Sequence, residues 1–127
     1  MEIEIQITSE RIALPCQLQT AGDTGAVAEF SGVVRGEENG QPIRALEYEA
    51  YSPMAERVMR EILTDLAAKF PCQTVRVIHR TGVVPVGETA IYIRVTGRHR
   101  AEAFALLTGF MDRLKQDVPI WKVRSIA

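Results

Sequence analysis

The order of elements in this sequence predicts an α+β fold with a mostly antiparallel sheet. Strand-like stretches follow one another without an intervening helix, at 25–34 then 43–51, and at 74–80 then 88–96. Only two stretches, 52–70 and 98–116, carry a long apolar stripe at helical spacing. Strands in runs with few helices segregate into α+β layers, whereas strict strand–helix alternation would give a parallel sheet.

Residues 2–8 alternate Glu2, Ile3, Glu4, Ile5, Gln6, Ile7, the period of a half-buried strand. Residues 9–24 carry weak signals and are read as a short helix, then a loop through Gly22-Asp23. Gly25 to Val34 is apolar and small, read as a central strand ending at Arg35-Gly36. The stretch 37–42 is rich in turn residues and is read as a mobile connection. Ile43 to Tyr51 alternates again, with Leu46 and Tyr48 on one face and Glu47 and Glu49 on the other. Ser52 then reads as an N-cap and Pro53 as the first helical residue. Met54, Val58, Ile62 and Leu66 form that helix's stripe, widened by Met59, Leu63 and Phe70, and Pro71 ends it. Two strands follow, Thr74–Arg80 and Glu88–Thr96, joined by a loop over 82–87. The last helix, Arg98 to Gln116, buries Ala103, Leu106, Leu107, Phe110, Met111 and Leu114. After it, Pro119 holds Val118–Trp121 extended.

A length of 127 residues suits one domain, 1–127. A net charge of −1 supplies no overall field for nucleic acid or an anionic membrane, so any anion site must be local. No apolar run reaches the length of a membrane span, and the acidic, alternating N-terminus is neither signal nor transit peptide. Cys16 and Cys72 stand far apart with no CxxC spacing, which argues against a disulfide framework and for a reducing cytoplasm. With two histidines, no metal-ligand spacing occurs, nor a phosphate-binding glycine loop or nucleophile elbow. His79, in mid-strand, reads as structural, Cys72 as an inert packing residue, and Glu47 with Glu49 as solvated surface.

Chemistry concentrates at two places. Only three of the 15 basic residues are lysine, and two of them, Lys115 and Lys122, fall within eight residues. An ammonium is a compact charge whose proton affinity shifts on burial, which guanidinium cannot match. Helical spacing puts Lys115 near Phe104 and Met111, at the edge of the apolar stripe, where desolvation would favour the free amine. The same spacing also fits a snorkelling lysine whose stem packs while its ammonium reaches water. Folding 118–121 back over the sheet would bring Lys122 near Lys115. The second place is Thr96-Gly97-Arg98-His99-Arg100, where the best strand meets a helix N-terminus. Unpaired N–H groups, the helix dipole and basic side chains there suit a phosphate, although an exposed basic turn has the same residues.

Several blocks, in order, resemble one family. They are Phe30–Arg35 (FSGVVR), Leu46–Tyr51 (LEYEAY), Pro53–Ala55 (PMA) and His79–Gly82 (HRTG) with Val86–Glu88 (VGE). His99-Arg100, Ala103-Phe104, Asp112–Lys115 (DRLK) and Val118–Lys122 (VPIWK) complete the set. Together they resemble the large, catalytic subunit of molybdopterin synthase, from about residue 24 to 122. The resemblance implies an α/β hammerhead-like domain with a mostly antiparallel sheet and two main helices. It implies a sulfurtransferase of molybdenum cofactor biosynthesis, without a cofactor of its own, that converts cyclic pyranopterin monophosphate to the dithiolene of molybdopterin. Sulfur would come from the C-terminal Gly-Gly thiocarboxylate of a small ubiquitin-like subunit, and a homodimer would sit inside a heterotetramer. Carried over by position, Lys115 and Lys122 match the catalytic lysines. Val33, Val34, Arg35, His99, Arg100, Val123 and Arg124, together with both lysines, match the substrate contacts. Gly36-Glu37-Glu38 and Val123-Arg124 depart from the family pattern, the first by adding negative charge beside the anion pocket. A competing reading is a non-catalytic module that grips an anion, nucleotide or partner. A third, ranked last, is a Schiff-base enzyme using Lys115.

Overall fold

The structure, a computed structural model, describes residues 1–15 and 20–127. Its frame is a four-stranded sheet in the order β1 (Glu2–Thr8), β6 (Thr74–Arg80), β8 (Thr89–Gly97), β2 (Ala26–Val33). Only β1–β6 is parallel; β6–β8 and β8–β2 are antiparallel. Two helices, α1 (Ser52–Lys69) and α2 (Arg100–Asp117), cover one face, so the α+β class with two helices is observed. Ile3, Ile5 and Ile7 meet Val75, Val77, Ile91, Ile93 and Val95 under Met59, Leu63, Leu106 and Phe110. Burial of that set is the dominant stabilising contribution, at roughly 1.5–3 kcal/mol for each large side chain. No helix among the described residues is long and apolar enough to cross a membrane.

Beside this frame, β5 (Ala45–Ala50) lies between β7 (Gly82–Pro85) and β9 (Ile120–Ile126) in a second antiparallel sheet. Leu46 and Val84 pack there with Val34 and Ala90. A two-residue hairpin, β3 (Glu37–Glu38) with β4 (Gln41–Pro42), stands between β2 and β5.

Several expectations need correction. The described part of 9–24 holds no helix, and Cys16 lies outside the described residues. The strand β2 is an edge strand. Its small residues serve close packing: a Cβ on Gly32 would approach Ile91 Cγ2 to 2.8 Å. Residues 37–42 form a hairpin, and 82–85 form an edge strand whose proline closes its end, where a missing N–H costs no ladder bond. Ser52 is already helical. The cap is Tyr51, without a side-chain bond, and Ala55 takes the buried position while Met54 is 41% exposed. The second helix starts at Arg100 with His99 as its cap.

Candidate functional site

The sequence-matched residues fall into two groups at opposite ends of α2. At its start, β8 delivers Arg98, His99 and Arg100, all exposed. His99 caps the helix in extended conformation and makes no side-chain cap bond, so the first-turn N–H groups keep their capacity for an anion. A cleft of about 570 Å³ opens here, lined by Gly25, Arg98, His99, Arg100, Ala101 and Phe104. Gly25 is required by close approach. Its N–H donates to Gly97 O at 3.0 Å, and a Cβ would sit 2.2 Å from Arg98 O. Arg98 is partly neutralised, donating to Asp23 at 3.2 Å. A second cleft, about 290 Å³, adjoins it between Cys72, Gln73, His99 and Glu102. Burial and then the nearby Glu102 charge push the Cys72 thiol up, consistent with an unreactive packing residue.

The other end holds Lys115, in the last turn of α2, and Lys122, on β9. Fifteen residues of helix separate Arg100 from Lys115, about 22 Å along the axis at 1.5 Å per residue. Arg35 belongs to this far end as well. The strand β2 starts beside Gly97 and ends beside Thr89, about 25 Å further along at roughly 3.3 Å per residue. One chain therefore does not bring His99 and Arg100 to the lysines.

Lys115 is exposed, and its flank of α2 faces outward, since Phe104 is 59% exposed and Met111 only half-buried. Of the two placements open to Lys115 from its spacing, the ammonium in water is observed and withdrawal into an apolar edge is not. The inward stripe is Ala103, Leu106, Phe110 and Leu114, and Lys115 lies one residue, some 100°, off it. Lys122 sits opposite Tyr48 in the β5–β9 ladder, and its Nζ donates to Glu38 at 3.2 Å. Arg124 sits opposite Glu47 and donates to it at 2.6 Å. Residues two apart on a regular strand share a face. Here Val123 is skipped in the register, and this bulge turns Arg124 to the face opposite Lys122. Arg35 is exposed above a cleft of about 510 Å³ with Gly36, Glu37 and Asn39. Val33 is 49% exposed, but Val34 is 3% exposed and both its backbone polar groups are bonded, to Glu88 and Gly87. These two bonds tie the end of β2 to the turn between β7 and β8.

Sequence reasoning did not single out Tyr48, which stands opposite Lys122, while His79, read as structural, packs against that tyrosine. Tyr48 packs edge-on against His79, ring centroids 5.5 Å apart, and its phenol is pushed up by burial and then by Glu38. His79 is buried and its Nδ1 pairs with Arg80 O at 2.8 Å; burial lowers its pKa from 6.5, more than that bond raises it. The alternation of Leu46 with Tyr48 held the signal for one of them. Among the described residues no group of His, Cys, Asp and Glu is arranged to hold a metal ion.

Comparisons with known proteins converge. The family model of the MoaE protein matches residues 6–117. The human molybdopterin synthase catalytic subunit is 40% identical over 120 residues, 93% of this chain and 64% of that protein. This chain thus spans less than two thirds of the human relative's length. A molybdopterin synthase structure from Staphylococcus aureus superposes with a TM-score of 0.84 at 33% identity, covering 95% of this chain and 89% of that one. A Helicobacter pylori structure, a complex of subunits 1 and 2 of molybdopterin-converting factor, shares the fold at a TM-score of 0.71 and 21% identity, over 98% and 88% of the two chains.

Proposed function

The chain belongs to the MoaE protein family, and we propose that it is the catalytic half of a molybdopterin synthase. In this reading residues 1–127 act as one unit on cyclic pyranopterin monophosphate. The start of α2, with His99 and Arg100, grips the phosphate through N–H groups and guanidinium. Lys115 and Lys122 neutralise the incoming thiocarboxylate of a small ubiquitin-like subunit and the charge that develops as sulfur bonds to a side-chain carbon of the pterin. The C–O bond there breaks, its oxygen leaving as phosphate oxygen or as water. Water then takes the place of sulfur on the partner's terminal glycine, which leaves as carboxylate. Two such transfers give the dithiolene. In this reading sulfur comes from the partner: among the described residues the one cysteine, Cys72, lies beside the phosphate grip, far from the lysines.

One observation carries the reading furthest. The two basic groups are complementary, a fixed dipole for phosphate and mobile ammoniums for a terminal anion, yet they lie about 22 Å apart in one chain. A second copy brings the phosphate grip of one protomer to the lysines of its partner, so a homodimer is part of the proposal, with a small subunit at each end. Arg35 lines the lysine end, Val33 and Val34 fix its strand, and Val123-Arg124 shape the approach rather than touch the reacting carbon. We place the reaction in the cytoplasm, in keeping with the free thiol of Cys72.

The decisive experiment mixes this chain with a thiocarboxylated small subunit and the cyclic pterin, and assays the dithiolene. Product at no more than the rate of the partner alone would leave the non-catalytic anion-binding reading in its place. Product with free sulfide at the partner-driven rate would remove the partner from the reaction.

A further inference from the structure

The hairpin after Arg35 is closed by Asn39 and Gly40, at φ of 52° and 77°. Two consecutive positive φ values suit this pair of residue types at a two-residue turn. Glu38 stands just before this turn, and its carboxylate meets Lys122 Nζ on β9 from 84 residues away in sequence. Glu38 is the more enclosed partner, its side chain 21% exposed against 50% for Lys122. Tyr48 closes the other side of the pair, half-buried opposite Lys122 in the ladder. The neighbouring carboxylate, Glu47, is engaged by Arg124 across the bulge and faces away.

We propose that Glu38 is a tethered stand-in for the anionic tail: its carboxylate occupies the place on Lys122 that a partner's C-terminal carboxylate or thiocarboxylate takes, and it must withdraw for that group to enter. The inference rests on the reading of Lys122 given above and deepens it. A second anion arriving at a neutralised ammonium meets repulsion from Glu38 and gains little attraction. The half-exposed pair is weak enough to be displaced, since exposed ion pairs contribute little net stability. The hairpin has two paired residues on each side and a further backbone bond at its base, Ile43 N–H to Gly36 O at 3.0 Å, so the withdrawal asked of Glu38 is a turn of its side chain to another rotamer. Glu38 therefore sets the affinity for the tail and leaves the transfer step itself unchanged. It is a built-in competitor that favours occupants able to replace its charge.

Calorimetric titration with a synthetic peptide ending in Gly-Gly tests this. The free-carboxylate peptide and its C-terminal amide are titrated into the full chain, Glu38→Gln, Lys122→Ala and the double variant. Glu38→Gln should tighten the carboxylate peptide by about three- to tenfold and leave the amide unchanged, as an uncovered charge pair implies. That gain should vanish when Lys122 is also alanine. A readout independent of the peptide is the acetylation rate of Lys122 relative to Lys69 under limiting reagent, which should rise in Glu38→Gln. Unchanged or weaker peptide binding in Glu38→Gln overturns the proposal, as does a gain that survives without Lys122 or a labelling rate that does not rise. Peptide binding by none of the four proteins removes tail capture itself and this proposal with it. Binding by the parent chain without tightening removes the proposal alone.

Discussion

The two ends of α2 both carry positive charge, but they hold it in different ways. At the start, charge is built into backbone. The first-turn N–H groups are fixed by the helix, Gly25 packs against Arg98 O, and the exposed Arg98 is tied to Asp23, leaving His99 and Arg100 as the side chains that supplement a fixed backbone site. At the end, charge sits on long side chains. Lys115 is exposed, Lys122 is held by Glu38, and Arg124 is turned away by a one-residue bulge. A rigid grip suits a ligand part that stays put through a reaction. Movable ammoniums suit a group that enters, reacts and leaves.

The sharpest way to break this contrast is to exchange charge types at the lysine end. Lys115→Ala should lower kcat by about 10²–10³, the usual size for losing one charge-stabilising group. Lys115→Arg should fail to restore it, because guanidinium is neither compact nor readily deprotonated. Arg100→Ala should instead raise KM for the pterin with kcat largely kept. Equal losses in kcat for both variants, at constant affinity, would dissolve the distinction.

Rigidity at the other end is tested by Gly25→Ala. The added Cβ meets backbone at 2.2 Å, so β2 must shift from Arg98. A loss of about 1–3 kcal/mol in chemical denaturation is expected, with weaker pterin binding. Unchanged stability and binding would show that the grip tolerates movement. A gentler probe asks whether the ends cooperate across protomers. Assayed at limiting pterin, where Arg100→Ala dimers turn over little, remixing Lys115→Ala with Arg100→Ala chains should recover about a quarter of normal activity, because half the dimers are mixed and each holds one intact site of two. No recovery would return both groups to one chain.

The smallest effect concerns pH. His79 lies beneath Tyr48 at the lysine end, and its folded pKa is lowered below 6.5. The unfolded chain therefore takes up a proton first as pH falls, so this group's contribution is present above pH 6.5 and is lost on acidification below it. The slope is at most about 1.4 kcal/mol per pH unit. Denaturation of His79→Gln between pH 7 and 5 should show a shallower decline than the parent. Parallel curves would exclude His79 from that dependence.

Much of this architecture was legible because its residues alternate or recur with clear periods. Ile3, Ile5 and Ile7 announced β1, and Ile91, Ile93 and Val95 announced β8, because one buried face imposes a period of two. The short strand β7 was hidden by Gly82 and Pro85, which signal loops yet are tolerated at an edge. For the same reason β2 read as central: small residues look alike whether both faces are covered or a helix packs close. At the site, residue types pointed to the right chemistry, but arrangement did not follow from them. Nothing local in Lys122-Val123-Arg124 predicts a bulge, which is set by the partner strand. The pairing of Lys122 with Glu38 joins residues 84 apart, which no local pattern records.

The pairing of β1 with β6 has a consequence during synthesis. Residues Glu2 and Thr74 stand side by side, so the first strand leaves the ribosome about 72 residues ahead of its partner. At roughly 5–20 residues per second it waits several seconds with no neighbour. A solitary strand bearing Ile3, Ile5 and Ile7 is an invitation to intermolecular pairing. The intervening Glu2 and Glu4 give it a net negative edge in that interval, so two nascent chains repel where they would otherwise zip together. Those glutamates are exposed in the finished fold, where Glu4 makes one loose surface pair with Arg76 at 3.6 Å that contributes little. They act before that fold exists: replacing both with threonine should leave the melting temperature almost unmoved and send more of the newly made chain into aggregates.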